Sequence, residues 1–347
     1  MSTLNNLISQ NKAIIESWDR LQFNRTRDWD LYGYDIGIHP LNMAIGGIIP
    51  TKVTVIGARS GSGKTAIAAQ MFEAGLRRKS DGSRVEYLFC TWELDPSIVI
   101  DRGVCLRTGL TIRQLNQGAK LLGEKTMASV KGAYEVLSKY PIIYQPYSIN
   151  IGEIIKISKE FVERCKEKSQ VEGNHIHPVI VIDYLNMAQF DSEGLRTYGI
   201  AAFMNGIKQF CNMSKASAVI LAQLNRDTDK QNKLPDRADF SDSGAIENAS
   251  DNLIALYRPE HHGVNQILNP ETGVEEDARN KMLFRVLKGR DYGTGDFLAN
   301  CDIKFFRFWD LNHKWEYPYY EEYKNPDFWK KEFGLYKPEK VIQDLPF

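Results

Sequence analysis

The segment Gly57-Ala58-Arg59-Ser60-Gly61-Ser62-Gly63-Lys64-Thr65 joins a short apolar run to a helical pattern. This is the setting of a P-loop, whose backbone N–H groups converge with a helix N-terminus on phosphate oxygens. Gly61 and Gly63 permit the tight loop and the close approach of backbone to anion. Lys64 is placed to neutralise β- and γ-phosphate charge, and the Thr65 hydroxyl to ligate Mg²⁺. The loop departs from the strict pattern in one respect: Gly stands one residue early and Ala58 occupies its place.

Hydrolysis of a bound nucleotide needs two carboxylates. One holds the metal at the end of a buried strand, and Val179-Ile180-Val181-Ile182-Asp183 supplies it. A turn or cap role is the bland alternative for Asp183, disfavoured after four apolar residues in a chain with a P-loop. The other polarises the attacking water, and Glu93, after the run Val85–Cys90, is the best candidate. A solvated glutamate near a helix start competes with that role, since Asp95-Pro96 follows.

These residues need a scaffold. Apolar runs at Val53–Ile56, Val85–Cys90, Ile142–Tyr144, Val179–Ile182, Ala218–Ala222, Leu253–Tyr257, Leu283–Leu287 and Cys301–Phe306 read as strands. Helices are expected from Thr65 to Lys79, over the face made by Ile151, Ile154, Ile155, Ser158, Phe161, Val162 and Cys165, and across Gly194–Met213. Strands alternating with helices imply an α/β fold, a mainly parallel twisted sheet covered on both faces. The last strands have fewer helices between them, which predicts an antiparallel edge. Arg77, Arg78 and Lys79 read as favourable charge at a helix C-terminus. His175-x-His177 reads as a loop feature, and Glu260–Lys281 as an exposed insertion.

Ahead of this core, residues 4–22 have helical spacing, either packed on their own domain or docked as an arm on a neighbouring subunit. Behind it, 14 aromatics crowd the 47 residues from Cys301 to Phe347. Such a tail could stack bases. Packing against the domain or a partner protein is favoured, because its basic residues are matched by acids. The division expected is an arm at 1–30, an ATPase domain at 31–308 and an aromatic-rich extension at 309–347.

Composition narrows the classes. Lys and Arg total 44, as do Asp and Glu, so the net charge is zero and bulk cationic attraction to nucleic acid is excluded. Five cysteines lie apart without a CxxC pair, which argues against a zinc site or dithiol and fits a reducing cytosol. No signal-peptide pattern opens the chain, and no apolar run approaches the roughly 20 residues of a membrane helix. A cytoplasmic protein is expected.

The ordered motifs resemble the ATPase domain of DnaB-type replicative helicases, RecA-like hexameric enzymes that travel 5′→3′. That family's P-loop often begins with Ala, as Ala58 does here. Its SLEM segment is matched by Thr91-Trp92-Glu93-Leu94, which implies that Glu93 is the catalytic base. Its VIDYLQL is matched by Val181-Ile182-Asp183-Tyr184-Leu185-Asn186-Met187. Its SQLNR is matched by Ala222-Gln223-Leu224-Asn225-Arg226, implying that Gln223 senses the γ-phosphate and that Asn225 and Arg226 adjoin a DNA-binding loop. Its DLRESG block is matched by Asp239-Phe240-Ser241-Asp242-Ser243-Gly244, implying backbone-tracking contacts, with Ser241 in place of Arg and Asp242 in place of Glu. Its KQRNGPTG is matched from Lys288 to Gly295, implying that Arg290, with Lys288, reaches the γ-phosphate of the neighbouring subunit. On the residues alone that pair reads as a solvated hairpin.

The resemblance implies ATP and Mg²⁺ as cofactors, and single-stranded DNA, a homo-hexamer and a primase, polymerase or loader as partners. The short arm, without the family's collar domain, looks phage-like. A recombinase filament and a non-motor ATP-switched assembly module are the alternatives. The segment around 226–239 sets Arg226, Lys230, Lys233 and Arg237 against Asp227, Asp229, Asp236 and Asp239, so a shallow salt dependence of DNA binding is expected.

Overall fold

Strict alternation of apolar residues toward both faces makes the central strands. In β4 (Ile176–Asp183), Val179 and Val181 enter one core while Ile180 and Ile182 enter the other. In β1 (Val53–Ala58), Ile56 and Ala58 face the first core, Val53 and Val55 the second. Each such fully buried Val or Ile contributes about 1.5–3 kcal/mol of hydrophobic stabilisation.

The structure, a computed structural model, describes residues 12–15, 17–18, 31–79, 81–116, 123–183, 185, 196–225, 233–240 and 243–312. Among these residues nine strands form the main sheet. β1, β2 (Arg84–Thr91), β3 (Ile142–Gln145), β4, β5 (Ser217–Gln223) and β6 (Asn252–Tyr257) are parallel. β9 (Lys281–Gly289), β10 (Gly295–Asp302) and β11 (Arg307–Trp309) complete an antiparallel edge. The order across the sheet is β11-β10-β9-β6-β1-β5-β4-β2-β3.

The first core packs beneath α1 (His39–Ile45), α2 (Lys64–Ala74) and α3 (Pro96–Thr108), with the short α4 (Ile112–Asn116) and α5 (Glu124–Leu137) beyond. The second packs beneath α6 (Ile151–Glu172), α7 (Arg196–Ser214) and α8 (Ser243–Ala249). The capping box of Asn150 with Glu153 starts α6, and its buried residues include Ile154, Ser158, Phe161, Val162 and Cys165, the face anticipated from spacing.

Several expectations are corrected. α2 stops at Ala74, so Arg77, Arg78 and Lys79 lie beyond the helix. Arg77 pairs with Asp35, Arg78 approaches Glu172, and the Lys79 ammonium donates to Tyr32 O at 3.2 Å and sits 4.0 Å from the Tyr34 ring centroid. The run Cys301–Phe306 is not one strand: β10 ends at Asp302, whose side chain caps a 3-10 turn over Ile303–Phe305, and Phe306 takes a left-handed φ of 58°. His177 is no loop residue but a buried member of β4, stacked on Tyr34 and 2.8 Å from the Ser217 hydroxyl. The stretch 260–281 holds a hairpin, β7 (Gln266–Leu268) with β8 (Glu275–Asp277), and it buries Ile267 and Ala278 against Tyr257 and Leu283.

Residues 12–15 and 17–18 are helical, and Ile14, Ile15 and Trp18 are exposed; the rest of the expected arm and the tail from 313 lie outside the described residues. Among the described residues no helix is long and apolar enough to cross a membrane.

Candidate nucleotide site

β1, β4 and β2 end together, and their ends carry the chemistry. Ala58 ends β1 and the loop turns into α2 through Gly63, whose φ of 94° suits glycine. The early glycine has a physical reason. A Cβ at Gly57 would lie 2.3 Å from the Phe240 ring and 2.8 Å from Leu224, so the bare backbone there makes room for Phe240. Ala58 is fully buried in the first core and needs no such space.

Thr91 of β2 registers with Asp183 of β4. Trp92 N donates to Asp183 O at 2.9 Å, and the Trp92 indole donates to Gln145 Oε1 at 2.7 Å. These bonds fix the chain just before Glu93, which lies exposed at the mouth of a cavity of about 250 Å³. Lys64, Thr65, Glu93, Arg102, Ile303 and Phe306 line it, with Ser60, Gly61 and Gly63 along the loop. The Thr65 hydroxyl lies 3.3 Å from Asp183 Oδ2.

The electrostatics follow from burial. Desolvation raises the Asp183 carboxyl to about 6, Glu93 adding same-sign repulsion while Lys64, Thr65 and Arg102 pull it back. Burial lowers the Lys64 ammonium, with Asp183 and Glu93 opposing the shift. Asp183 Oδ1 and Ser62 Oγ are buried without a hydrogen-bond partner. Buried polar atoms are ordinarily satisfied. An orphan carboxylate oxygen beside the Thr65 hydroxyl fits a divalent cation, and an orphan loop hydroxyl fits a phosphate oxygen.

The other sequence candidates fall into place unevenly. Arg59 donates to Leu224 O at 2.7 Å, and Gln223 registers with Ala58 beside the loop. Asn225 is exposed, its N–H held by Asp239 O at 2.7 Å. Gly244 is exposed near the start of α8, with open space where a Cβ would stand. Arg226, Ser241, Asp242 and the Ser243 side chain lie outside the described residues. Lys288 donates to the carbonyls of Glu247 and Ser250, and Arg290 donates to Asp251 Oδ1 at 3.1 Å.

Lys288 and Arg290 are remote from their own P-loop. Gly289 registers with Asn252, the first residue of parallel strand β6, whereas the P-loop leaves the last residue of β1. About five residues of strand, on the order of 17 Å, separate the two ends.

Sequence reasoning missed Arg102, Ile303 and Phe306. The Arg102 guanidinium lies 5.4 Å from the Phe306 ring centroid, and burial lowers its pKa while Asp183 and Glu93 draw it up. A lone arginine on α3 carries no local pattern, and the wall residues arrive from the far end of the chain.

Residues 33–310 match the family described as DnaB-like helicase C terminal domain. The chain belongs to that family. It is 23% identical over 283 residues to the replicative DNA helicase DnaB of Geobacillus stearothermophilus, covering 79% of this chain and 55% of that one. With the Treponema pallidum replicative helicase DnaB the identity is 26% over 243 residues, covering 69% and 51%. The chain thus spans about half the length of these relatives. Its fold, a RecA-like α/β core, superposes on the ATPase domain of G40P with a TM-score of 0.73 at 17% identity, covering 88% of this chain and all 100% of that one. A DnaB-like replicative helicase solved for its interactions with primase gives a TM-score of 0.69 at 16% identity, covering 88% and 68%.

Proposed function

We propose that this DnaB-like chain is the motor core of a replicative DNA helicase, a homo-hexamer that hydrolyses ATP and moves 5′→3′ along single-stranded DNA. The observation that carries the reading is one cavity lined by Lys64, Thr65 and Glu93, with Asp183 bonded to Thr65 behind it and Arg290 at the opposite ends of the strands. Thr65 and Asp183 would hold Mg²⁺, which would supply positive charge to offset that developing on the phosphate. The loop N–H groups and Lys64 grip the β- and γ-phosphates. Glu93 accepts a proton from the water whose oxygen attacks the γ-phosphorus, as the bond to the bridging oxygen breaks and ADP leaves.

Arg290 follows the end of β9 farthest from its own P-loop, so it serves the next subunit's site. Asn225, Arg226 and the segment from Ser241 to Gly244 are the residues assigned to DNA contact, and Gln223 reports γ-phosphate loss to them. The proposed organisation is an arm at 1–30, the motor at 31–308 and an extension at 309–347. A primase, polymerase or loader is the natural further partner, and cytoplasm the compartment.

Family membership favours this over a recombinase filament or an ATP-switched module. Unwinding of a forked duplex by the purified assembly tests it, with Lys64→Ala as the inactive control. An assembled, ATP-hydrolysing protein that separates no fork bearing a 5′ tail would refute the helicase assignment.

A further inference from the structure

Strand β9 carries one residue too many against β6. Leu253 registers with Lys288 and Ile254 with Val286, so Leu287 is bulged out of the ladder. Its carbonyl is taken by Arg237, through Nε at 3.1 Å and Nη2 at 2.7 Å. The remaining arm of the same guanidinium, Nη1, donates to Glu247 Oε1 of α8 at 2.6 Å. Two neighbouring bonds reinforce the joint: Arg285 donates to Pro235 O at 2.9 Å, and Lys288 to Ser250 O at 2.8 Å.

The segment 233–240, helix α8 and strand β9 therefore meet on one planar fork. A bulge re-aims a strand locally, and bulges gather near functional sites. Arginine presents several donors in fixed geometry, so a carbonyl and a carboxylate held by one guanidinium cannot separate independently. Leu287 lies three residues before Arg290. The charge balance seen in the sequence is local here too: Lys233 pairs with Asp236 at 2.6 Å, and Arg237 with Glu247.

We propose that Arg237 is a positioning residue that joins α8, which carries Gly244, to β9, so that DNA engagement on one side sets Arg290 on the other. The inference rests on the helicase reading. It assigns Arg237 no contact with DNA.

The test is ATPase of the assembled protein as a function of oligo-dT concentration, for wild type, Arg237→Gln, Arg237→Lys and Glu247→Gln. The expected result is a maximal stimulation at saturating oligo-dT that falls about five-fold or more in Arg237→Gln. Arg237→Lys should recover part of it, since an ammonium reaches Glu247 but cannot fork to Leu287 as well. Glu247→Gln, which removes only the charge of the acceptor, should also lower the maximum and serves if Arg237→Gln does not assemble. Two results overturn the proposal. One is an unchanged maximum with a raised half-saturating DNA concentration, which makes Arg237 a direct DNA contact. The other is stimulation equal to wild type. Failure of wild type itself to respond to oligo-dT strikes the helicase reading, and is told apart because it needs no variant.

Discussion

The Arg290 guanidinium lies 3.1 Å from Asp251 Oδ1, while Oδ2 of the same carboxylate takes the N–H of Val53 at 2.8 Å and the ammonium of Lys208 at 2.6 Å. Asp251 is buried, whereas half of the Arg290 side chain remains exposed (51%). The candidate finger is thus tied through its guanidinium to the carboxylate that also anchors the first residue of the P-loop strand, with half of its side chain open to solvent.

We predict that Arg290→Ala lowers ATPase by about a thousand-fold or more in the assembled protein. Mixing it with Lys64→Ala subunits should restore activity that neither variant has alone, because an intact loop on one chain then meets an intact arginine on the next. Steady-state ATPase across mixing ratios measures this. No recovery at any ratio counts against action in trans.

Arg102 lines the cavity together with Lys64, the charges of Asp183 and Glu93 act on it, and burial strengthens its field. Arg102→Gln should cut kcat for ATP hydrolysis by about a hundred-fold. Equilibrium binding of a fluorescent ADP should change far less. A variant with parental kcat would remove Arg102 from the catalytic site.

Gly57→Ala would drive a Cβ to 2.3 Å from the Phe240 ring. Overpacking of this kind costs about 1–3 kcal/mol, so a lower Tm is expected. Phe240→Leu in the same chain should return part of the loss. Equal Tm values for the single and double variants would show that the contact relaxes without cost.

His177 predicts acid sensitivity. Burial pushes its imidazole from 6.5 down to about 3, with His175 and Lys79 adding to the shift. The folded chain keeps the ring neutral where the unfolded chain protonates it. Its contribution is therefore whole above about pH 6.5 and is lost as pH falls toward 3, by roughly 1.4 kcal/mol per unit. Denaturant unfolding between about pH 7 and pH 5 should show a shallower decline for His177→Gln than for wild type. Parallel curves would place the acid response elsewhere.

Legibility in the sequence tracked locality. The P-loop and the Asp183 strand are contiguous runs, so order alone revealed them, and Glu93 was reached from the strand before it. The antiparallel edge was legible from missing helices. What stayed hidden depends on partners distant in sequence: Arg102 on Phe306, Gly57 on Phe240, Arg77 on Asp35. The run Cys301–Phe306 misled because hydrophobicity cannot display the Asp302 cap or a left-handed φ at Phe306. Charge at Arg77–Lys79 misled because a helix end is set by tertiary contacts: carboxylates hold Arg77 and Arg78, and the Tyr32 carbonyl and Tyr34 ring hold Lys79.

If Arg290 acts on the next copy as proposed, the placement of loop and finger at opposite ends of the strands sets an arithmetic of assembly. Each copy would offer one donor half and one acceptor half, an arrangement suited to head-to-tail joining. An open string always has one fewer complete site than it has members, and it wastes a half at each end. Closing the string supplies the last site without adding a subunit. Completion of the ring is then worth more to turnover than any single addition before it, and one defective copy silences a boundary it shares with a sound neighbour.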